Sequence, residues 1–350
     1  MGRPFERAPD NAYPKGIVYA RPDTPTVRMT EVVLNTLEGG AATLLLGSGM
    51  AAATALFLAL ERPAHMIAPK VMYWGLRRWL IETAPQYGIE TTLVDTGNLD
   101  ELKAAIIPGR TRLVWLETPS NPTWSLSDIA AVSKIAHAAG AAVGVDSTVA
   151  TPVLCRPIEH GADVVMHAAT KYLNGHSDVV AGSLTFKAKD ALYERAAAVR
   201  RDIGAILAPL EAFLLMRGMR TLHVRVRHQA AAAMEVALHF AKNDRVASVL
   251  YPGLPNHPGH DIAKRQMTGG FGGMLSIRVK GGEQAAIRTA ANVKVWKRAT
   301  SLGGVESLIE HRFSIEGPTS PCPPDLLRLS VGVESVSDLI ADLDRALVAN

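Results

Sequence analysis

The chemistry that this sequence could perform is concentrated in three segments, each at the C-terminal end of a predicted apolar strand. Residues 47–50 (GSGM) open a predicted helix, and its N–H groups and dipole would form an anion site suited to a phosphate. Asp146 ends the run Ala142–Asp146, where a buried carboxylate needs a partner. Lys171 follows the run Val164–Ala168, and partial desolvation would shift its amine towards the neutral, nucleophilic form.

Each segment also has a purely structural explanation. A Gly-rich turn is often only a turn, Asp146 could cap the turn after it, and Lys171 could reach from a loop into solvent. The GSGM segment is neither a Walker loop nor a GxGxxG dinucleotide loop. Together, however, the three segments match what pyridoxal 5′-phosphate (PLP) requires: a lysine for its aldehyde, a carboxylate that keeps its pyridine nitrogen protonated, and a phosphate site.

The elements that must position these groups form an alternating series between residues 26 and 222. Apolar runs separated by helical stretches predict an α/β fold with a mostly parallel sheet and helices on both faces. The predicted strands are Ala42–Leu46, His65–Ala68, Glu90–Val94, Leu113–Glu117, Ala142–Asp146, Val164–Ala168 and Gly182–Phe186. The predicted helices are Ala51–Leu60, Leu76–Tyr87, Asn98–Ile107 and Ser127–Ala138. In such sheets ligands bind at the carboxyl ends of the strands, where the three segments lie.

The pattern changes after about residue 222, which predicts three regions. Residues 1–25 are polar and Pro-rich and are predicted to form an extended arm, and residues 26–222 are the α/β domain. Residues 223–350 are predicted to form a smaller α+β domain. Its elements are a helix over Ala230–Ala241, strands over Gly272–Val279 and Leu326–Val331, and a closing helix over Val336–Val348.

Composition excludes several classes of protein. The 350 residues are 48% hydrophobic and 20% charged, which is typical of a globular protein, and the net charge of +4 is too small to argue for nucleic acid. Cys155 and Cys322 have neither metal-site spacing nor the density of a disulfide framework, and we expect reduced thiols and no metal. The first residues lack the apolar segment of a signal peptide, and no apolar run reaches membrane-spanning length. We therefore expect a soluble, cytoplasmic protein.

Longer motifs from Tyr19 onward carry a more specific signal. They include YARPDTPT (19–26), GSGMAA (47–52), ETPSNP (117–122), VDSTVATP (145–152), AATKYLNGHSDVVAG (168–182), SLGGVESLIEH (301–311) and LRLSVGVE (327–334). In these motifs the sequence resembles the PLP-dependent enzymes of Cys/Met metabolism, a family that includes cystathionine γ-synthase, cystathionine β- and γ-lyases and methionine γ-lyase. The resemblance implies the fold-type I architecture of PLP-dependent transferases, which is aspartate-aminotransferase-like.

The resemblance also implies a set of cofactor-binding and catalytic residues. Lys171 would bind the cofactor aldehyde and then move protons at the substrate Cα, Asp146 would pair with the pyridinium nitrogen, and Tyr73 would stack on the ring and assist proton transfer to the leaving group. Asn121 would contact the phenolic oxygen of the cofactor. The implied phosphate ligands are Ser48, Gly49, Met50 and Thr170, together with Tyr19 and Arg21 from the neighbouring subunit.

Substrate binding and assembly are implied in the same way. Arg328 would hold the substrate carboxylate with both arms of its guanidinium, and Ser301 and Asn121 would lie beside that carboxylate. Because Tyr19 and Arg21 would serve the neighbour's site, a homodimer is the smallest active unit, and such dimers usually pair into tetramers.

Several positions depart from the family pattern, among them Ser147, where asparagine usually follows the aspartate. Ala168 replaces a serine that usually precedes Ala-Thr-Lys. Trp74 follows Tyr73 at a position where the family usually has glycine. Thr300 stands where several cystathionine-cleaving enzymes carry glutamate, and Arg312 interrupts the usual Ile-Glu-His-Pro. The loss of the serine at position 168 removes one expected phosphate hydroxyl, and the other changes alter the expected substrate pocket.

The leading functional hypothesis is a lyase that eliminates a β- or γ-substituent from an amino acid and yields an oxo acid and ammonia, with C–S cleavage of the cystathionine or methionine type. One alternative is γ-replacement, of the cystathionine γ-synthase or O-acetylhomoserine sulfhydrylase type. Another is a γ-lyase for a non-sulfur substrate such as canavanine. A non-catalytic scaffold is disfavoured because Lys171, Asp146, Tyr73 and Arg328 are all present.

Overall fold

The chain builds a seven-stranded sheet followed by a five-stranded sheet, both packed against helices. The structure is a computed structural model that describes residues 4–318 and 320–348. The first three residues of the predicted arm, residue 319 and the last two residues lie outside the described residues. The strands are β1 Ala42–Leu46, β2 Ala64–Pro69, β3 Ile89–Val94, β4 Thr111–Glu117, β5 Ala142–Asp146, β6 Val164–His167, β7 Gly182–Phe186, β8 Val246–Leu250, β9 Met274–Val279, β10 Lys297–Arg298, β11 Leu308–His311 and β12 Leu326–Ser330.

Helices connect most of these strands. They are α1 Pro25–Glu38, α2 Gly49–Leu58, α3 Trp74–Glu82, α4 Leu99–Ala105, α5 Ile129–Ala138, α6 Thr151–Leu154, α7 Ala191–Ile203, α8 Pro209–Met219, α9 Leu222–Phe240, α10 His260–Gln266, α11 Gly282–Asn292, α12 Phe313–Glu316 and α13 Val336–Val348. Short 3₁₀ helices span Ala84–Tyr87 and Pro157–His160. Over the described ranges, the structure contains no helix long and apolar enough to cross a membrane.

The first sheet confirms the predicted α/β class. Its strand order is β1-β7-β6-β5-β4-β2-β3; β6, β5, β4, β2 and β3 run parallel, whereas β7 is antiparallel to both of its neighbours. Apolar clusters cover both faces of the sheet, one of them built around Phe57 and Trp115. The parallel strands are therefore buried on both sides, and their carboxyl ends meet at one edge.

Most predicted strands lie where the apolar runs placed them. β1, β5 and β7 have the predicted bounds, and β6 ends at His167, one residue before the predicted end. The predicted helix Leu76–Tyr87 is wrong in its second half, because α3 ends at Glu82 and a 3₁₀ helix follows. Pro85 explains the break, since proline disfavours α-helix in the residue before it and removes a backbone donor.

Helix α1 was not predicted, although its ends carry clear signals. The Thr24 hydroxyl accepts a hydrogen bond from the Val27 N–H at 3.3 Å, and Pro25 occupies the first helical position. Gly39 ends the helix with φ at 73°, which a residue with a side chain adopts at a cost. These caps fix the helix that packs against α8 and β1.

The second sheet has the strand order β10-β11-β12-β9-β8 and brings two charged side chains into register. Glu310 on β11 lies directly opposite Arg328 on the antiparallel strand β12. Helices α9, α11 and α13 supply the apolar core behind the sheet, around Phe240, Ile277 and Leu343. The predicted helix over Ala230–Ala241 is the C-terminal part of α9, which begins at Leu222.

The packing of the first sheet gives a stability prediction. Phe57 is fully buried, and its ring meets that of Trp115 edge-on with centroids 5.1 Å apart. We expect Phe57→Ala to lower the free energy of unfolding by about 3–5 kcal/mol, because it leaves a cavity and removes the aromatic contact. Urea unfolding followed by circular dichroism measures the change. Ile81→Ala, at a half-exposed position of α3, is the control and should change it little; equal losses in the two variants would contradict this packing argument.

Candidate active site

The residues predicted to do chemistry converge on one cavity of about 350 Å³. It lies at the carboxyl ends of strands of the first sheet and is closed by residues 300–302 and by β12. The predicted site residues that line it are Ser48, Gly49, Met50, Tyr73, Asn121, Asp146, Thr170, Lys171, Ser301 and Arg328. The volume is in the range of small-molecule sites.

Lys171 lies in the turn after β6, where its side chain is largely buried. Its Nζ donates a hydrogen bond to Ser301 Oγ at 2.9 Å. Burial, and then the positive charge of Arg328, lower the pKa of the lysine from 10.5 to about 8. A substantial fraction of this amine is therefore neutral and nucleophilic near physiological pH.

Ser301 is held in a conformation that its own side chain disfavours. Its φ angle is 127°, a region that residues other than glycine rarely adopt. Its hydroxyl accepts from Lys171, and its carbonyl accepts from Arg328 Nη2 at 2.8 Å. The strained residue is thus fixed between Lys171 and Arg328, and backbone strain of this kind is typical of functional sites.

Asp146, at the end of β5, presents a carboxylate to the cavity. Its Oδ1 accepts from the Thr148 N–H at 3.0 Å and from the Thr148 hydroxyl at 2.5 Å. Burial raises the pKa of Asp146, while the bonds from Thr148 and the nearby His167 act in the opposite direction. In the described part of the chain Oδ2 has no hydrogen-bond donor, so a cationic N–H in the cavity would stabilise the ionised form.

The anion end of the cavity is the N-terminus of α2. Ser48 caps this helix and accepts from the Ala51 N–H at 3.0 Å. A Cβ on Gly49 would lie 2.8 Å from the Cβ of Ala168, so only glycine lets the helix start this close to the segment that carries Lys171. Thr170 also lines this end, and its hydroxyl bonds with both backbone groups of Ala181. The N–H groups of the first turn and the helix dipole favour a phosphate here.

Glu117 was not recognised as a site residue from the sequence, although it ends β4. It is buried in the cavity wall, where its carboxylate accepts from the Tyr73 N–H at 2.7 Å and from the Asn121 N–H at 2.9 Å. Burial and the neighbouring charge of Asp146 raise the pKa of Glu117 to about 8. Glu117 therefore anchors the loops that carry Tyr73 and Asn121. Its position at a strand end was the signal that could have identified it.

Arg328 projects from β12 into the cavity and is held from three sides. Nη1 donates to Asn121 Oδ1 at 3.3 Å, and Nη2 donates to the Ser301 carbonyl and to Glu310 Oε2 at 2.7 Å. Burial lowers the pKa of this guanidinium to about 10, and the nearby charge of Arg312 contributes. Two of its five N–H groups remain for a ligand, so the geometry suits a carboxylate.

Tyr19 and Arg21 do not line the cavity of their own chain. Tyr19 is exposed, the guanidinium of Arg21 lies 5.7 Å from its ring centre, and Arg21 Nη1 donates to the Arg201 carbonyl at 2.5 Å. The expected role of this pair in a neighbouring subunit remains a prediction.

Two histidines outside the cavity have structural partners. His176 Nδ1 lies 2.7 Å from the Asn174 carbonyl, and His257 Nδ1 accepts from the Gly259 N–H. Both cysteines are free and buried. Within the described residues, no cluster of three or more His, Cys, Asp or Glu side chains could hold a metal ion.

The donor set of the cavity fits PLP. A neutral amine for the aldehyde, an open carboxylate oxygen for the pyridinium nitrogen and a helix N-terminus for the phosphate all line one space. Lys171, Asp146 and the turn at Ser48 would hold the cofactor. The exposed ring of Tyr73 at the cavity wall is available to cover it.

Comparison with known proteins gives the same assignment. Residues 5–348 match the family model described as "Cys/Met metabolism PLP-dependent enzyme". The chain is 44% identical to a cystathionine γ-synthase of Mycobacterium tuberculosis, over 95% of this chain and 86% of that protein. It is 41% identical to an L-methionine γ-lyase of Porphyromonas gingivalis, over 95% of this chain and 85% of that protein. The crystal structure of metB from Corynebacterium glutamicum superposes with a TM-score of 0.95 at 39% identity and covers 99% of this chain and 91% of that chain.

The depressed pKa of Lys171 makes the capture of PLP by the apoprotein pH-dependent. Because the neutral amine is the nucleophile and its pKa is about 8, the rate should rise with pH through about 8 and level off above it. Stopped-flow absorbance at a series of pH values measures this rate, and Lys171→Ala is the control without the amine. A rate that is still rising steeply towards the ordinary lysine value of 10.5 would contradict the desolvated site.

Proposed function

The chain belongs to the PLP-dependent enzymes of Cys/Met metabolism, and from this membership we propose that it is a lyase that eliminates a β- or γ-substituent from an L-amino acid. A thioether substituent, as in methionine, is the favoured case, so that C–S cleavage releases a thiol. Water then completes the reaction, and the products are the thiol, a 2-oxo acid and ammonia.

The number of available carboxylate sites supports elimination over replacement by a second amino acid. Of the described residues that line the cavity, three are cationic: Lys171, Arg328 and Arg312. Lys171 serves the cofactor, and the charge of Arg312 is balanced by two carboxylates, Glu310 and Glu316, whereas Arg328 shares only Glu310. Arg328 is therefore the group left for a carboxylate, and it provides for one amino acid.

The outer wall of the cavity supports an apolar substituent. Trp74, Leu76 and Ile315 line it, and Thr300 stands where a carboxylate would be needed to hold a distal ammonium group. The two carboxylates that line the cavity, Glu117 and Asp146, already have assigned partners. This favours a substrate of the methionine type over cystathionine or canavanine, whose distal groups are charged.

Each side chain then has a task in the reaction. Bound PLP supplies an electron-accepting ring for the pair of electrons left when the substrate loses its Cα proton. Arg328 would orient the α-carboxylate, and the neutral amine of Lys171 would accept the Cα proton. Asp146 would hold its negative charge against the pyridine nitrogen. The Tyr73 hydroxyl would assist proton transfer to the departing group.

γ-Replacement is a second candidate, and one observation favours it. The mycobacterial relatives named cystathionine γ-synthase are 44% identical to this chain, slightly more than the 41% of the methionine γ-lyase. The same residues would serve both reactions, and the fate of the intermediate would differ: water and proton transfer complete elimination, whereas a thiol completes replacement.

A substrate panel distinguishes the two reactions. With methionine, cystathionine, homocysteine, cysteine, canavanine and O-acetylhomoserine, we expect oxo acid and ammonia without added thiol, fastest with methionine-type thioethers. Lys171→Ala should lower kcat about 10²- to 10⁴-fold, since it removes the proton-transfer group. Arg328→Lys should raise KM about tenfold or more, because one donor point replaces a fork. Thiol-dependent thioether formation from O-acetylhomoserine that exceeds oxo acid release would show that replacement is the reaction.

We also propose that the enzyme works as a homodimer, and that dimers pair into tetramers. Helices α1 and α8 pack together and leave a group of large apolar side chains in solvent: Met29, Val32, Leu210 and Phe213. Exposed apolar groups of this kind mark interaction surfaces. Tyr19 and Arg21 lie just before α1, which would allow them to reach a neighbour's phosphate site.

We also propose that the chain is divided into three parts. Residues 1–25 would be the arm, 26–222 the PLP-binding domain and 223–350 the small domain. The strands of the first sheet all precede residue 187, and those of the second sheet all follow residue 245.

Mixed dimers test the shared site. Arg21→Ala and Lys171→Ala should each lower activity strongly, but together they should complement, because a mixed dimer contains one site with an intact Lys171 and an intact Arg21. Random mixing would restore about a quarter of the wild-type activity. An assay of the co-expressed, unseparated variants measures this, two affinity tags confirm that mixed dimers have formed, and Lys171→Ala mixed with itself is the control. No recovery in confirmed mixed dimers would contradict the shared site.

A further inference from the structure

Arg312 is a buried cation in the cavity wall to which the reaction assigns no task. Its side chain is 2% exposed. Nη1 donates to Glu310 Oε2 at 2.7 Å, and Nε and Nη2 donate to Glu316 Oε1 at 3.0 and 2.7 Å. Three charge-assisted hydrogen bonds therefore fix the guanidinium and offset the desolvation cost of burying its charge.

Glu310 links Arg312 to the proposed carboxylate site. The same oxygen that accepts from Arg312, Oε2, also accepts from Arg328 Nη2 at 2.7 Å, and Oε1 bonds to the Thr300 hydroxyl. The result is a chain of alternating charges, Glu316–Arg312–Glu310–Arg328, whose side chains are all nearly inaccessible to solvent. The four charges sum to zero.

The sharing of Glu310 has a consequence for ligand binding. A carboxylate beside a single guanidinium tends to bond with both of its arms. Were Arg312 absent, Glu310 would be free to turn fully onto Arg328 and to compete with the substrate carboxylate for the remaining N–H groups. Arg312 takes part of the charge of Glu310 and keeps its carboxylate between the two arginines.

We propose that Arg312 is a positioning residue that prevents Glu310 from neutralising Arg328 and thereby keeps Arg328 available for the α-carboxylate of the substrate. Glu316 balances the charge of Arg312, so that Arg312 does not itself attract an anion. This inference rests on the proposed function through the role of Arg328, but it holds for elimination and replacement alike.

L-Norleucine is a suitable probe, because it has an α-carboxylate and an unbranched apolar side chain but no leaving group on its β- or γ-carbon. Its binding to the holoenzyme, followed by the change in cofactor absorbance, therefore reports the carboxylate site without elimination or replacement. L-Norleucinamide is the matched probe that lacks the carboxylate charge.

Arg312→Met should raise the Kd for norleucine about tenfold and leave the Kd for norleucinamide within about twofold, because only the former needs a free Arg328. The double variant Arg312→Met/Glu310→Gln should recover most of the loss, since glutamine lacks the competing charge. Arg312→Lys should lie between Arg312→Met and the wild type, because it keeps the charge but loses the fork. The affinity for PLP should be unchanged in all of them.

Arg278→Met is the control: Arg278 lies on β9 and pairs with Asp325, neither residue lines the cavity, and the variant should leave norleucine binding unchanged. If Arg312→Met folds poorly, Arg312→Lys and the double variant carry the comparison. Wild-type norleucine affinity in Arg312→Met or Arg312→Lys overturns the proposal, as does a double variant no better than Arg312→Met. If Arg328→Lys itself leaves norleucine binding unchanged, the proposed carboxylate site is wrong; if only Arg328→Lys weakens it, the role of Arg312 alone is wrong.

Discussion

The hydrogen bond from Lys171 Nζ to Ser301 Oγ joins the two sheets of the protein at the site where the chemistry is proposed. Lys171 follows β6 of the first sheet, whereas Ser301 precedes β11 of the second, and the Ser301 carbonyl holds Arg328 on β12. The two cations of the site are therefore positioned by one strained residue. Neither sheet alone provides both the lysine proposed to bind the cofactor and the arginine proposed to bind the substrate carboxylate, so the packing of the two sheets brings the proposed site together.

Burial is the main cause of the raised pKa values of two carboxyl groups in the same cavity. Asp146 and Glu117 end neighbouring strands, β5 and β4, and are paired in register. Glu117 receives two backbone N–H bonds, yet burial and the nearby Asp146 raise its pKa to about 8. Burial raises the pKa of Asp146 as well, while its two bonds from Thr148 favour the ionised form that a cofactor N–H would pair with.

Local pattern was enough to predict the parts of the site that lie at strand ends. β1, β5 and the start of β6 are short apolar runs bounded by turns, so Ser48, Asp146 and Lys171 could be located before the fold was known. Glu117 has the same local signal, but its function depends on Tyr73, a residue 44 positions away in sequence. The bonds among Arg312, Glu310 and Arg328 are likewise tertiary, because they depend on the register of β11 against β12. Sequence spacing does not reveal such contacts, which is why Arg312 could be noted only as a departure from the family pattern.

That departure changes the cavity without changing its charge. Arg312 adds a positive charge and Glu316 balances it with a negative one, so Arg328 is still the cation left for a ligand carboxylate among the described residues of the wall. Arg312 also links Glu310 to α12, because Glu316 is the last residue of that helix, and Ile315 of the same helix lines the cavity. These ion pairs thus connect the proposed site for the α-carboxylate with another part of the cavity wall. Selectivity in this enzyme would then arise from the placement of neutralised charges around an apolar wall, since no carboxylate at position 300 is present to attract a distal cation.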